Sequence, residues 1–142
     1  MKTGVKLICL AALTILAAPA SGRATSTLYE RLGGLENIRS FVSQTIERTA
    51  ADPDTSLLFE GIRLAPVKES VAAHLCEMTG GPCRYEGASM AKVHSGMQIS
   101  GKQFDLMDAY LGQALTVHGV KDADKAALGA LLQPLRADVI AK

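Results

Sequence analysis

Thr27-Leu28-Tyr29-Glu30-Arg31-Leu32-Gly33-Gly34-Leu35 is the stretch from which the fold can first be read. Thr27 and Glu30 have capping-box spacing, in which the threonine oxygen and the glutamate answer two otherwise unpaired amides at a helix start. A short helix begins there, and Gly33-Gly34 ends it, because glycine enters left-handed conformations without steric cost. Beyond the glycines, Leu35, Ile38, Val42, Thr45, Ile46 and Thr49 recur at helical spacing. That second helix runs to Asp52-Pro53-Asp54, where proline removes a backbone donor.

Leu57-Leu58-Phe59 forms a compact apolar knot, followed by Gly61 and by Pro66, a residue welcome at a helix start. The third helix sets Val67, Val71, His74, Leu75 and Met78 along one face and stops at Gly80-Gly81-Pro82. A loop with Tyr85 and Gly87 leads to a short segment whose Met90, Val93, His94 and Met97 again share a helical face. Past the connection from Gly96 to Gly101, Phe104, Met107, Leu111, Leu115 and His118 mark a long helix ending at Gly119. The last helix opens after Asp122, turns Leu128, Leu131, Leu132, Leu135 and Val139 inward, and should bend at Pro134. No segment alternates with period two, so the expected fold class is all-α.

The chain before this region reads differently. Lys2 and Lys6 give a positive start, Leu7 to Ala17 is apolar, and Ala18-Pro19-Ala20 has the small residues of a cleavage site. Residues 1–20 are therefore expected to be a secretory signal peptide, with export to the periplasm or the medium. The apolar run is too short for the roughly 20 residues a membrane-spanning helix needs, so no membrane association is expected after cleavage. Residues 21–142 leave about 120 residues, the size of one domain.

Fifteen basic and fourteen acidic residues give a net charge of +1, and the basic residues are scattered, so the footprint of a nucleic-acid binder is missing. Three Phe, three Tyr and no Trp leave the core to aliphatic side chains, which suits packed helices. Cys76 and Cys83 are the cysteines outside the signal segment. A disulfide across the Gly80-Gly81-Pro82 turn and two separate thiols are both open. No further Cys or nearby His completes a four-ligand metal set with them.

Periodicity thus yields a helical domain with two inward histidines, His74 and His94, and a lone histidine on an apolar face is more often a core residue than a ligand. Spacing supports no Ser-His-Asp or Cys-His pairing, no phosphate loop after a strand, and no Cys-x-x-Cys-His for covalent haem attachment. Taken together and in order, however, Leu28 to Gly34, Phe59, Gly80-Gly81-Pro82, Tyr85-Glu86-Gly87, Met90-Ala91-Lys92-Val93-His94 and the proline of the last helix resemble the group I truncated haemoglobins. The resemblance covers roughly Leu28 to Ile140.

It implies a truncated globin domain, a two-over-two helical sandwich around haem b, with His94 as the proximal iron ligand. Phe59 matches the aromatic residue that stacks on the porphyrin. Lys68 matches a basic residue that can face a propionate, and Tyr85, Met90, Val93, Ile99, Phe104 and Met107 match positions lining the haem pocket. Where family members commonly carry a tyrosine in the second helix and a glutamine in the third, Ile46 and Val71 stand here, with Val67 as a further apolar neighbour. The resemblance therefore implies a distal side without a near donor. His74 takes a position where relatives usually have an aromatic residue at the haem edge. His118 is placed to favour the negative end of its helix dipole.

The expected function is reversible binding of oxygen, or of nitric oxide or carbon monoxide, at five-coordinate iron, in a monomer re-reduced by an unidentified reductase. The alternatives are a haem redox enzyme, as a nitric-oxide dioxygenase or peroxidase, and a haem-free helical interaction module.

Overall fold

The computed structural model describes residues 25–141. The signal-peptide reading and its cleavage site lie outside them. Helix α1 (Leu28–Arg31) starts with the expected capping box: Thr27 Oγ1 accepts from the Glu30 amide at 3.2 Å, and Glu30 Oε2 accepts from the Thr27 amide at 2.8 Å. Gly33 has φ 90°, a conformation that costs a side-chain-bearing residue steric energy, so the chain turns within two residues into α2 (Gly34–Ala51). Asn37 Nδ2 seals this corner by donating to the Leu32 carbonyl at 2.7 Å and to that of His118 at 3.3 Å.

The centre of the molecule is α2, which packs against both α3 (Leu64–Met78) and α5 (Gly101–Val117). Its buried residues are Ile38, Phe41, Val42, Thr45, Ile46 and Thr49, the expected stripe with Phe41 added and with Leu35 only half-buried. Thr45 and Thr49 sit in this apolar stripe because their hydroxyls donate back to the carbonyls of Phe41 (2.7 Å) and Thr45 (2.8 Å). The core is completed by Leu32, by Ala72, Leu75 and Cys76 of α3, by Ala114 and Leu115 of α5, by Val120, and by Leu128 of α6 (Asp122–Leu132). Each large aliphatic or aromatic side chain so buried contributes about 1.5–3 kcal/mol.

The end of α2 is tied to α5 by polar contacts. Tyr110 donates to Asp52 Oδ2 at 2.6 Å, and the Arg48 guanidinium lies 4.3 Å from the Tyr110 ring centroid. A 3-10 turn (Ser56–Phe59) then delivers Phe59 to the core edge. Helix α3 begins two residues before Pro66, which falls within the first turn where no intrahelical amide is required.

The segment carrying His94 differs from the expected helical face. Helix α4 is one turn (Met90–Val93), capped by Ser89, and His94 is already its C-cap. The positive φ of Gly96 (78°) and Gln98 (55°) ends the helix before Met97 can share its face, and Val93 is 47% exposed. A second capping box, Ser100 with Gln103, starts α5.

The last helix does more than bend at Pro134: it breaks into α6, a 3-10 turn (Gln133–Leu135) and α7 (Arg136–Val139), because proline offers no amide to the ladder. Leu131, expected inward, is 37% exposed, whereas Leu128 and Leu132, one turn apart, share the inner face. Among the described residues there is no strand, and no helix is long and apolar enough to cross a membrane.

Candidate functional site

His94 Nδ1 lies 2.9 Å from the carbonyl oxygen of Met90, one turn back along α4. A carbonyl only accepts, so Nδ1 carries the hydrogen, and Nε2 is the nitrogen whose lone pair a metal would take. Bound to a metal, the ring would be a neutral imidazole of fixed tautomer, with Nδ1 as the hydrogen-bond donor and Nε2 as the ligand atom. The ring is half-buried. It lines a cavity of about 280 Å³ with Ala91, Ser95, Gly96 and Gln98 on one side and residues 137–141 on the other. That volume lies just under the roughly 300–1,000 Å³ of whole small-molecule sites, so it accounts for the surroundings of one face of His94 rather than for a complete cofactor pocket.

A wider apolar lining comes from other elements. Phe59, Leu64, Val67, Val71, Met107, Leu111 and Leu132 all pack on the core yet stay only partly buried. Tyr85, Met90 and Phe104 are also half-buried, and Ile99 is 7% exposed. The packed core leaves these apolar side chains incompletely covered, and a flat apolar ligand would remove that surface from water. Ile46, in the core against which Val67 and Val71 pack, is 1% exposed, so α2 presents an aliphatic side chain and no polar group at that position. Among the described residues no cluster of three or more His, Cys, Asp or Glu is arranged to hold a metal. An ion on His94 would need its remaining ligands from outside the protein, and one imidazole together with apolar side chains left partly uncovered is a set that fits haem.

The structure packs Phe59, Val67, Val71 and Met107 against the same buried core, and joins Met90 to His94 through a hydrogen bond to the backbone. Ile99 is held by its carbonyl, which accepts from the Ala141 amide at 2.9 Å. Phe104 is covered by the Arg136 guanidinium, 4.9 Å from its centroid. Val93 stands apart, exposed on α4.

Lys68 is engaged elsewhere in the protein: its ammonium pairs with Glu47 of α2, whose carboxylate also accepts from Ser43. The Lys68 hydrogen bond, followed by that of Ser43, holds the Glu47 carboxyl below the usual carboxylate range. His74 faces Tyr85, with ring centroids 4.5 Å apart and planes 35° apart. Burial pushes its pKa down and the nearby Glu77 carboxylate partly opposes this, so the imidazole is favoured in its neutral form. His118 caps α5, with Nε2 3.1 Å from Gln44 Oε1.

Three features escaped the sequence reading. Residues 137–141 reach His94 from more than 40 positions away, with no local signal for that contact. Gln98 adopts a left-handed φ that its residue type does not announce. Cys76 and Cys83 are joined in a disulfide, with Cα atoms 5.7 Å apart, where spacing had left two readings open.

The model of the bacterial-like globin family matches residues 27–141. The chain is 36% identical over 104 residues to the group 1 truncated hemoglobin GlbN of Nostoc sp. strain MUN 8820, covering 72% of this chain and 88% of that protein. It is 30% identical over 114 residues to the corresponding protein of Mycolicibacterium paratuberculosis, covering 80% and 84%. Among solved structures, the truncated hemoglobin of Tetrahymena pyriformis in its Fe(III) form superposes with a TM-score of 0.78 at 26% identity, over 82% of this chain and 100% of that one. The helical order thus coincides with an established architecture, the two-over-two globin sandwich. The chain belongs to the bacterial-like globin family, as a group I truncated haemoglobin.

Proposed function

We propose that this haem-binding globin, with haem b as its cofactor, reversibly binds a diatomic gas at five-coordinate iron held by His94. The observation that carries the reading is the Nδ1 contact of His94 with Met90, which orients the ring and leaves Nε2 as the nitrogen for the iron. When bound, haem supplies a redox-active iron with one position open to a gas. The protein's part is to orient His94, to cover the porphyrin faces with Phe59, Val67, Val71 and Met107, and to exclude water with that apolar wall.

Ile46, Val67 and Val71 offer no hydrogen-bond donor, so the site gives little help to a ligand that accumulates negative charge. Oxygen is then held less firmly than in a donor-bearing pocket, and nitric oxide and carbon monoxide lose less by comparison. Peroxide cleavage would call for an acid–base group near the ligand, and the one inward histidine on α3, His74, is stacked against Tyr85. Gas binding is therefore favoured over a peroxidase role.

Export to the periplasm or beyond is part of the same proposal, supported by the Lys2-to-Ala20 pattern and by a disulfide of the kind that persists in oxidising compartments. The protein acts as a monomer, and a separate reductase returns its iron to the ferrous state.

The deciding experiment is the visible spectrum of protein expressed with haem, reduced and then titrated with carbon monoxide. A high-spin ferrous spectrum that converts stoichiometrically on adding the gas supports the proposal. A low-spin six-coordinate spectrum before any gas is added would remove the open position. A missing Soret band would favour the haem-free module.

A further inference from the structure

We propose that the Cys76–Cys83 disulfide is a redox-operated latch which, through Tyr85, holds His74 on the wall of the haem site. The proposal rests on the haem-site reading for its consequence, but the latch itself is built from contacts within the protein.

Cys76 is fully buried on α3, in the core, while Cys83 is half-buried in the loop that follows. The chain between them passes directly over Cys76. The Gly81 amide donates to the Cys76 carbonyl at 2.8 Å, and a Cβ on Gly81 would lie 2.6 Å from Cys76 Sγ and 2.5 Å from Tyr29 Cδ2. The crossing is thus closed to any added atom. Two residues beyond Cys83, Tyr85 meets His74, which lies two residues before Cys76. The disulfide and the ring contact are therefore parallel ties between the end of α3 and one short loop.

The other ties of this loop segment are weak. The Tyr85 amide donates to Glu77 Oε2 at 3.3 Å, the Tyr85 hydroxyl donates to Ala88 within the loop itself, and residues 86–89 are exposed. Neither polar contact anchors the aromatic ring to the protein core. The covalent bond is what fixes where Tyr85 starts.

Opening the latch requires a dithiol reductant. One of its thiolates attacks Sγ of Cys83, the more accessible sulfur; the Sγ–Sγ bond breaks, and the electron pair leaves on Cys76 Sγ, which takes a proton. The second thiol of the reductant then displaces Cys83 as a free thiol and closes the reductant's own disulfide. Two electrons and two protons pass to the protein. Two unbonded sulfurs cannot remain at bonding distance, and Cys76 is enclosed by core, so the displacement falls on Cys83 and its loop. Tyr85 is drawn off His74, and the imidazole becomes free to turn toward the site or toward water.

The test compares oxidised and dithiol-reduced protein, parent and His74→Leu, in the ferrous carbon monoxide form. Alkylation in denaturant after removal of the reductant, read by intact mass, verifies that two thiols have appeared, and the NMR shift of the His74 ring protons in the folded protein reports the Tyr85 ring current. The expected result for the parent is loss of that ring-current shift and a change of about two- to tenfold in the carbon monoxide association rate, the range to which an aromatic contact converts. His74→Leu should keep one rate in both states, and Cys83→Ala should resemble the reduced parent.

An unchanged ring-current shift with both thiols free would overturn the latch, as would an equal rate change in the parent and His74→Leu. A disulfide that resists reduction in the folded protein would overturn it too. The ring-current measurement needs no haem, so a missing Soret band would remove the gas-binding reading while the latch is still judged by the shift.

Discussion

His94 and Met90 are linked by an imidazole Nδ1 and a main-chain carbonyl 2.9 Å apart, so the imidazole's orientation is written into the backbone of a single helical turn. No side-chain substitution can delete the Met90 carbonyl, which leaves the imidazole as the point of test. His94→Gly is expected to lose most bound haem while keeping its helical circular dichroism, and added free imidazole should restore part of the Soret absorbance. Full haem content with the parent spectrum would move the iron ligand elsewhere.

Ile46→Tyr tests whether the apolar base of the site sets oxygen retention. A hydroxyl directed at the ligand is worth roughly 1.5–3 kcal/mol, which predicts at least about tenfold slower autoxidation. Because Ile46 is 1% exposed, the larger ring also crowds the core, at about 1–3 kcal/mol of stability. Slower autoxidation with a lower Tm is therefore the expected pair. His74→Leu should leave autoxidation of the oxidised protein near that of the parent; fast oxidation in this variant would make His74 the donor instead.

Gly81 and Gly61 separate two reasons for glycine. An alanine Cβ at position 81 would lie 2.8 Å from a backbone oxygen as well as against Cys76 Sγ, so something fixed must move. At Gly61 nothing lies within 4 Å, and only the φ of 74° is unfavourable. Gly61→Ala should cost about 1–2 kcal/mol, the usual penalty of a left-handed residue. Gly81→Ala should cost more, in the 1–3 kcal/mol range of overpacking or beyond, and should hinder disulfide formation. Denaturant melts with thiol counts measure both; equal losses would refute the steric account.

His74 gives the acid limb of stability a definite sign. Its folded pKa is lowered, chiefly by burial, so the unfolded state binds more protons in the window below the ordinary histidine value of about 6.5. The contribution is present above that value and is lost as pH falls through the folded pKa. Asp52 has the same sign in a more acidic window: the Tyr110 hydrogen bond, then the Asp54 amide, lowers its pKa, and its contribution fades as pH drops below about 4. Melting temperatures across pH 7 to 5 should fall less for His74→Leu than for the parent, and Tyr110→Phe should flatten only the more acidic part. An unchanged slope in His74→Leu would discount that histidine.

Export is tested by the intact mass of protein recovered from the native host. The expected mass begins at Ser21 and is reduced by two hydrogens for the Cys76–Cys83 bond. A chain retaining residues 1–20 would end the export proposal, and a full thiol count would contradict the bond independently.

The helices themselves were legible because their determinants are local. Thr27 with Glu30, the Gly33-Gly34 corner, the α2 stripe and the stop at Gly119 depend on backbone sterics, end-group hydrogen bonds and a 3.6-residue period, all of which operate within a few positions. His94 stood out for the same reason, since both its spacing from Met90 and the motif around it lie inside one turn. Tertiary contact decided what those local rules do not reach. The Cys76–Cys83 pairing depends on Cα atoms meeting at 5.7 Å, the partner of Lys68 proved to be Glu47 on another helix, and the cavity beside His94 is closed by residues 137–141 from the far end of the chain. The exposure of Leu131 was likewise settled by which side of α6 found a neighbour. Amphipathic spacing states that a helix has an apolar face; only the packed chain determines which residues at its border are covered, because burial is a property of the surface that arrives from elsewhere in the sequence.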